Sequence, residues 1–321
     1  MKLSVVSSAL HSMTLDEALG YLKSLGVDEL ELGVGGYPGT AHADAKILSQ
    51  DKEKRDEVVA TFKKHGMGIS ALAVHGNPVH PDKEIAAGFD RDFRAACVLA
   101  GQIGIDRIIT FSGCPGSDPD AKMPSWVTCP WPGEFLQVLD YQWNQVLIPY
   151  WKEAAAFAAS HGVRRIALEM HPGFNVYNPE TLLRLRAEIG DIIGANLDPS
   201  HLLWQGMDIV EVINTLGDAI HYFHAKDTLL NVGNIKKNGV LDTKHYGDLG
   251  GRSWVFRTVG YGNDALTWKK ILSQLLVVGY NDSISIEHED ALMSPREGLE
   301  KAVRFMKDVL VYEKPSDMWW A

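Results

Sequence analysis

The chain has 321 residues, 45% of them hydrophobic and 22% charged, with 31 basic against 41 acidic side chains and a formal charge of −10. This is a globular composition with enough apolar residues for a large core, and the acidic balance without a basic stripe excludes a phosphate-backbone partner. No stretch nears the roughly 18 apolar residues of a membrane span.

The start, Met1-Lys2-Leu3-Ser4-Val5-Val6, lacks the charged and apolar segments of a signal peptide. Cys97, Cys114 and Cys129 show no CxxC spacing, so reduced thiols and a cytoplasmic location are expected. In chain order, Leu3–Ser7 reads as a first strand, and a helix follows from Thr14 with Asp16 and Glu17 in its first turn. Glu29–Leu32 is a second strand, 51–65 a helix with Val58, Val59 and Phe62 on one face, and Gly68–Val74 a third strand. A helix over 83–101 precedes the strand Arg107–Phe111, and a long helix over Phe135–His161 precedes the strand Arg165–Glu169. Then come a helix over 179–188, a strand over Asp191–Asp198, a helix over Asp208–Leu216 and a seventh strand at Ile220–His224. The helix Ala265–Val278, an eighth strand at Ser283–Glu287 and the helix Ser294–Val311 complete the chain.

Eight strands each followed by a helix make the count of a closed (β/α)8 TIM barrel. The turn after the first strand, Ser7-Ser8-Ala9-Leu10-His11, has no GxGxxG, which argues against an open dinucleotide-binding sheet. Two βα loops, the fourth over Ser112–Gly133 and the seventh over Ala225–Asn263, far exceed the usual 2–6 residues. Their Pro, Trp and Gly content suits ordered lids. No linker or repeat interrupts residues 1–321, so one domain is expected, with a short apolar tail at 313–321 read as an oligomer or core contact.

Four strands end on metal-capable side chains: Glu169, Asp198, His224 and Glu287. They lie 29, 26 and 63 residues apart. The first two spacings match one βα unit of about 25–30 residues, and the third adds the long seventh loop. Taken singly, a carboxylate after a strand is commonly a helix N-cap; four at one register predict convergence at the barrel mouth. Three carboxylates and one imidazole favour Mn²⁺, with Mg²⁺ or Co²⁺ as alternatives, over the N- and S-rich sets of zinc. Such a site suits a hydroxy-ketone, with Glu169 and Glu287 as the acid/base pair.

The Glu at the end of the fifth strand, Asp198-Pro199-Ser200-His201 after the sixth, His224-Ala225-Lys226-Asp227 after the seventh and Glu287 after the eighth resemble the xylose-isomerase-like TIM barrels. That superfamily includes sugar phosphate isomerases/epimerases, ketose 3-epimerases and inositol-catabolism enzymes. The resemblance implies that Glu169, Asp198, His224 and Glu287 hold the metal and that His201 holds a substrate hydroxyl. The family's epimerases often carry an arginine about six residues after the histidine ligand. Leu230 stands there in this chain, which shifts sugar contact to Lys226 or to His245 and Arg252 of the long loop. A related multi-zinc DNA-repair endonuclease is disfavoured by the acidic charge and by the absence of its downstream Asp-x-His.

His75, at the end of the third strand, and His171, two residues past Glu169, are further substrate-binding candidates. His288 is expected to point away from Glu287 and to be structural. Trp126, Trp131, Trp204, Trp254 and Phe256 can floor a sugar pocket. The resulting expectation is a metal-dependent isomerase or epimerase of a keto-sugar or related polyol, self-associating, with no nucleic-acid or membrane partner. The alternative is a lyase cleaving 3-oxo-glycosides by β-elimination. It is suggested by resemblance to the large subunit of C-glycoside deglycosidases, which works with a small partner subunit.

Overall fold

The computed structural model describes residues 1–313 together with Met318 and Trp320. Eight parallel strands close a barrel: β1 (Lys2–Val6), β2 (Glu29–Gly33), β3 (Gly68–Ala73), β4 (Arg107–Phe111), β5 (Arg165–Glu169), β6 (Ile193–Leu197), β7 (Ile220–Ala225) and β10 (Ser283–Ile286). Their order around the barrel is β1-β10-β7-β6-β5-β4-β3-β2, closing back on β1. This is the expected (β/α)8 topology. The last barrel strand is β10 because the seventh βα loop contains an antiparallel hairpin of β8 (Asp227–Leu230) and β9 (Trp254–Arg257). Its two strands are separated by residues 231–253 rather than joined by a tight turn, so no hairpin signal marks them in the sequence. The apolar tail expectation includes Trp319 and Ala321, which lie outside the described residues.

The helices are α1 (Leu15–Ser24), α2 (Ala45–Leu48), α3 (Lys52–His65), α4 (Lys83–Ile103), α5 (Glu134–Asp140), α6 (Ile148–Ser160), α7 (Pro179–Ile189), α8 (Pro199–Leu203), α9 (Ile209–Leu216), α10 (Val232–Asn238), α11 (Ala265–Val277) and α12 (Pro295–Val309). Their starts follow local chemistry. Thr14 and Glu17 form a reciprocal capping box, and Asp82, Asp264 and Ser294 each accept a first-turn N–H. Helices α3 and α4 stop at Gly66 and Gly104, which take the left-handed conformation that glycine tolerates. The helix expected over 135–161 is instead two, joined by wider π-type turns over Tyr141–Leu147. Pro149 has no N–H to give Gln145 and crowds the preceding turn, which favours this widening.

The longer helices turn a 3.6-period apolar stripe to the barrel, as in Phe93, Ala96, Cys97 and Ala100 of α4 or Leu299, Ala302, Val303 and Met306 of α12, whereas α5 and α10 bury no residue. The stripes and the outward strand residues build the main core, while Ala71, Ile109, Ala167 and Tyr222 form a separate inner cluster. None of the described helices is long and apolar enough to cross a membrane.

At one point the barrel holds a buried titratable group of its own. Ala195 pairs with Ile220 and Asn196 with Tyr222, which leaves His221 as the extra residue of a bulge. Its ring occupies the space where a side chain at Gly194 would have to go, 2.4 Å from the place of that missing Cβ. Burial, with repulsion from Arg186, Arg165 and Arg107, lowers the His221 imidazole to about 4. The unfolded chain therefore binds this proton first, so stability present above about pH 6.5 falls as pH drops toward 4. Denaturation midpoints measured over that window should fall in the wild type and flatten in His221→Gln, by on the order of 1–3 kcal/mol; identical pH profiles would refute the assignment.

Candidate active site

Strand register decides which side chains face the barrel axis. Phe111 pairs with Glu169, Glu169 with Asn196, and Ser285 with His224. Alternate residues share a face, so the inner-cluster residue Ala167 puts Glu169 inward, and Tyr222 does the same for His224. Asp198 follows β6 and Glu287 follows β10. One donor atom from each of Glu169, Asp198, His224 and Glu287 lies within 4.8 Å of the others, close to the span of about 4 Å across one divalent ion. The four come from consecutive strands, β5, β6, β7 and β10.

Asp198 does two jobs. Its Oδ1 accepts the Ser200 N–H at 2.8 Å and caps α8, the ordinary use of such a residue. Its Oδ2 is buried without a well-formed hydrogen bond and has the Lys226 ammonium 3.1 Å away, and His224 Nδ1 is likewise buried, 3.3 and 3.4 Å from the Glu287 and Glu169 carboxylates. Two buried ligand atoms held only by charge contacts within one cluster fit a bound cation. His224 Nε2 meets the Glu31 carboxylate at 2.9 and 3.1 Å, and Ser285 Oγ donates to Glu31 at 2.7 Å. That is the carboxylate–histidine arrangement that fixes which ring nitrogen is left for a metal.

Glu169 is the most heavily supported member. His75 Nε2 donates to its Oε2 at 3.0 Å, Asn196 Nδ2 donates to the same oxygen at 3.1 Å, and His201 Nε2 lies 3.0 Å from Oε1. Lys226 is buried among carboxylates: its Nζ sits 2.8 Å from Glu287, 3.0 Å from Glu289 and 3.1 Å from Asp198, and 3.2 Å from His201 Nε2.

The electrostatics follow from this crowding. Burial pushes Asp198 up to about 7, helped by Glu169 and Glu287 and opposed by Lys226. Burial also works against charge on Glu169, but bonds from His201, His224 and His75 hold it well below the usual carboxylate range. Glu287 is likewise burdened by burial and held low by the Lys226 ammonium and His224. His224 loses solvation, yet Glu31 and the neighbouring carboxylates raise it well above an ordinary imidazole. Lys226 is raised in the same way, against burial, by Asp198, Glu287 and Glu289. Without metal, these two cations balance the carboxylates.

His75, His171, His201, Lys226 and Glu289 line a cavity of about 300 Å³ over Glu169 and Glu287, with Tyr37 and Phe111 as aromatic wall. Three candidates fall elsewhere. Arg252 spends its guanidinium on the Trp254 and Lys244 carbonyls and stacks on Tyr246 and Trp254, so it braces the seventh loop. His245 is exposed and accepts the Gly247 N–H in a turn of that loop. Trp126 lines a different cavity of about 220 Å³ with Gln142, Asn175 and Tyr177. Loop residues carry no register, and spacing cannot orient them. Trp131 is exposed, and Trp204, at the end of α8, stacks on Trp254 of β9 at 4.6 Å. His288 lines a further cavity and packs on Gly298.

Glu31 and Asn196 escaped the sequence reading. The available signal was Glu29 and Glu31 alternating with Leu30 and Leu32, a buried strand with charges on its inner face. Two outcomes follow. Metal binding must displace protons from Asp198 and His224, so Mn²⁺ affinity should fall as pH drops through 7, with proton release seen by calorimetry in buffers of different ionisation enthalpy. Glu31→Gln should weaken Mn²⁺ binding by about 10–100-fold, and unchanged affinity would remove Glu31 from this role.

Residues 19–309 match the model of the xylose isomerase-like TIM barrel. The uncharacterized protein YfiH of Bacillus subtilis is 39% identical over 312 residues, covering 97% of this chain and 99% of that protein. The crystal structure of the IolI protein with a bound zinc atom superposes with a TM-score of 0.67 at 20% identity, covering 97% of this chain and 98% of that one. The 3-keto-D-glucoside 4-epimerase YcjR from E. coli gives a TM-score of 0.61 at 14% identity, over 96% and 99%. At such identities the two structures speak for the fold alone. With the match spanning almost the whole barrel, the chain belongs to the xylose isomerase-like TIM barrel family.

Proposed function

We propose that the protein is a divalent-metal-dependent isomerase or epimerase that moves a proton between carbons of a keto-sugar or related polyol. The observation that carries this reading is the meeting of Glu169, Asp198, His224 and Glu287 within 4.8 Å beneath a polar cavity. The family, a zinc-holding relative in fold and an epimerase of a keto-sugar derivative support it. The four side chains would hold the ion, and the oxygen-rich set favours Mn²⁺ or Mg²⁺. When bound, the ion supplies positive charge to a substrate carbonyl and acidifies the adjacent C–H.

The protein's own groups perform the proton transfers. Glu169 and Glu287 stand on β5 and after β10, with β6 and β7 between them, so they reach a bound sugar from separate directions. Both are kept ionised by their cationic and hydrogen-bonding neighbours, the state a base requires. One carboxylate removes the proton from carbon; the other, ionised at rest, takes a proton from water and passes it to the planar intermediate, and the first then returns its proton to solvent. His75 and Asn196 fix the Glu169 carboxylate, while Lys226 fixes Glu287. His201, held well below its usual range by burial and by His171 and Lys226, offers a neutral ring to a sugar hydroxyl. The free thiols and lack of a spanning helix among the described residues accord with work in the cytoplasm.

The test is deuterium uptake from D2O into D-fructose, D-tagatose or a 3-keto-glucoside by the Mn²⁺-loaded protein. Glu169→Gln and Glu287→Gln should each lower exchange by about 10²–10⁴-fold, and chelation should abolish it until metal is returned. Full exchange in either variant, or in the chelated protein, refutes the proposal.

A further inference from the structure

A second cavity of about 540 Å³ adjoins the first, and His171 and Glu289 belong to the walls of both. Its other walls are mainly apolar, with Tyr246, Leu249, Val255, Phe256, Ala291 and Met293. Tyr246 and Phe256 stack at 5.8 Å and 21°. Phe256 also reaches back to the metal-capable cluster: its ring meets His201 edge-on at 5.2 Å, and Lys226 Nζ lies 4.8 Å from its centroid.

The Asp290 carboxylate in this second cavity is already engaged, and the one side chain among the described residues of its wall with unpartnered buried polar atoms is His288. Asp290 accepts from Arg257 Nε, Thr258 N and Leu292 N, so a hydroxylated ring placed there would give up water for few partners. The junction differs. His171 has its Nδ1 bonded to the Pro172 carbonyl at 2.6 Å, and among the described residues its Nε2 makes no hydrogen bond. A polar linkage can therefore cross between His171 and Glu289 while an apolar group fills the far side. The two spaces together match the size range of sites for drug-sized ligands, larger than one monosaccharide needs.

We propose that the second cavity is a subsite for an aromatic substituent, so that the substrate is a glycoside whose sugar lies over Glu169 and Glu287 and whose aglycone lies against Phe256 and Tyr246. This rests on the sugar reading above and narrows its substrate class. The linkage passes His171 and Glu289, and the flap formed by β8, β9 and the segment between them supplies the aromatic wall.

The experiment compares binding of phenyl and methyl 3-keto-β-D-glucopyranoside to the full-length, Mn²⁺-loaded protein by titration calorimetry. The phenyl compound should bind at least tenfold tighter. Ala291→Trp and Leu249→Trp, on different loops of its lining and outside the cluster, should each erase that preference while methyl binding stays within twofold. Equal affinity for the two compounds, no measurable phenyl binding, or equal weakening of both by the two variants overturns the subsite. A dimer in sedimentation that Leu249→Trp dissolves would assign the cavity to a second copy and overturn it as well. A phenyl preference without deuterium exchange in either compound keeps the subsite and refutes the isomerase; exchange without preference does the reverse.

Discussion

Three carboxylates held together in the mouth of a barrel are the constraint around which this molecule is arranged. Glu169, Asp198 and Glu287 repel one another, and burial removes the water that would screen them. Lys226 and His224 offset that charge, and the hydrogen bonds from His75 and Asn196 hold Glu169 in place. A cluster so expensive to bury persists only where the rest of the fold over-determines its geometry, which is the usual mark of a working site.

Much of that support comes from residues outside the four metal-capable side chains. Glu31 orients His224 from β2, on the other side of β10 and β1. Asp227, one residue past Lys226, turns away and accepts the N–H groups of Gly260, Gly262 and Asn263 together with Trp268 Nε1. It fastens the return of the seventh loop to the barrel, and the approach is so close that a side chain at Gly262 would sit 2.5 Å from the Thr228 carbonyl. In His224-Ala225-Lys226-Asp227, alternate residues thus serve the site and adjacent ones serve the scaffold. The flap above is stiffened in its own way, with Arg252 between Tyr246 and Trp254 and Trp204 stacked on Trp254.

The barrel strands and most helices were legible in the sequence because each rests on a local signal: apolar runs, Thr14 with Glu17 at a helix start, glycine at a helix end. The meeting of Glu169, Asp198, His224 and Glu287 was legible for a related reason. In a closed parallel barrel, strand ends share one rim, so spacing alone places such side chains near each other. Arg252, His245 and Trp126 lie away from the cavity over Glu169 and Glu287, and the sequence could not orient them because they sit in loops, where backbone direction is set by distant contacts. The π-widened turn at Tyr141–Leu147 has no periodic signature of its own, and no tight turn joins β8 to β9 to mark a hairpin.

The sequence by itself determined the alternation of strand and helix, the acidic surface balance and the positions of four metal-capable side chains at strand ends, since each is a matter of order and spacing along the chain. Tertiary structure alone decided that Glu31 and Asn196 stand behind His224 and Glu169, that Arg252 braces a flap, and that an apolar cavity opens beside the polar one. Those outcomes depend on which strands become neighbours and how a long loop folds back, and long-range packing fixes both.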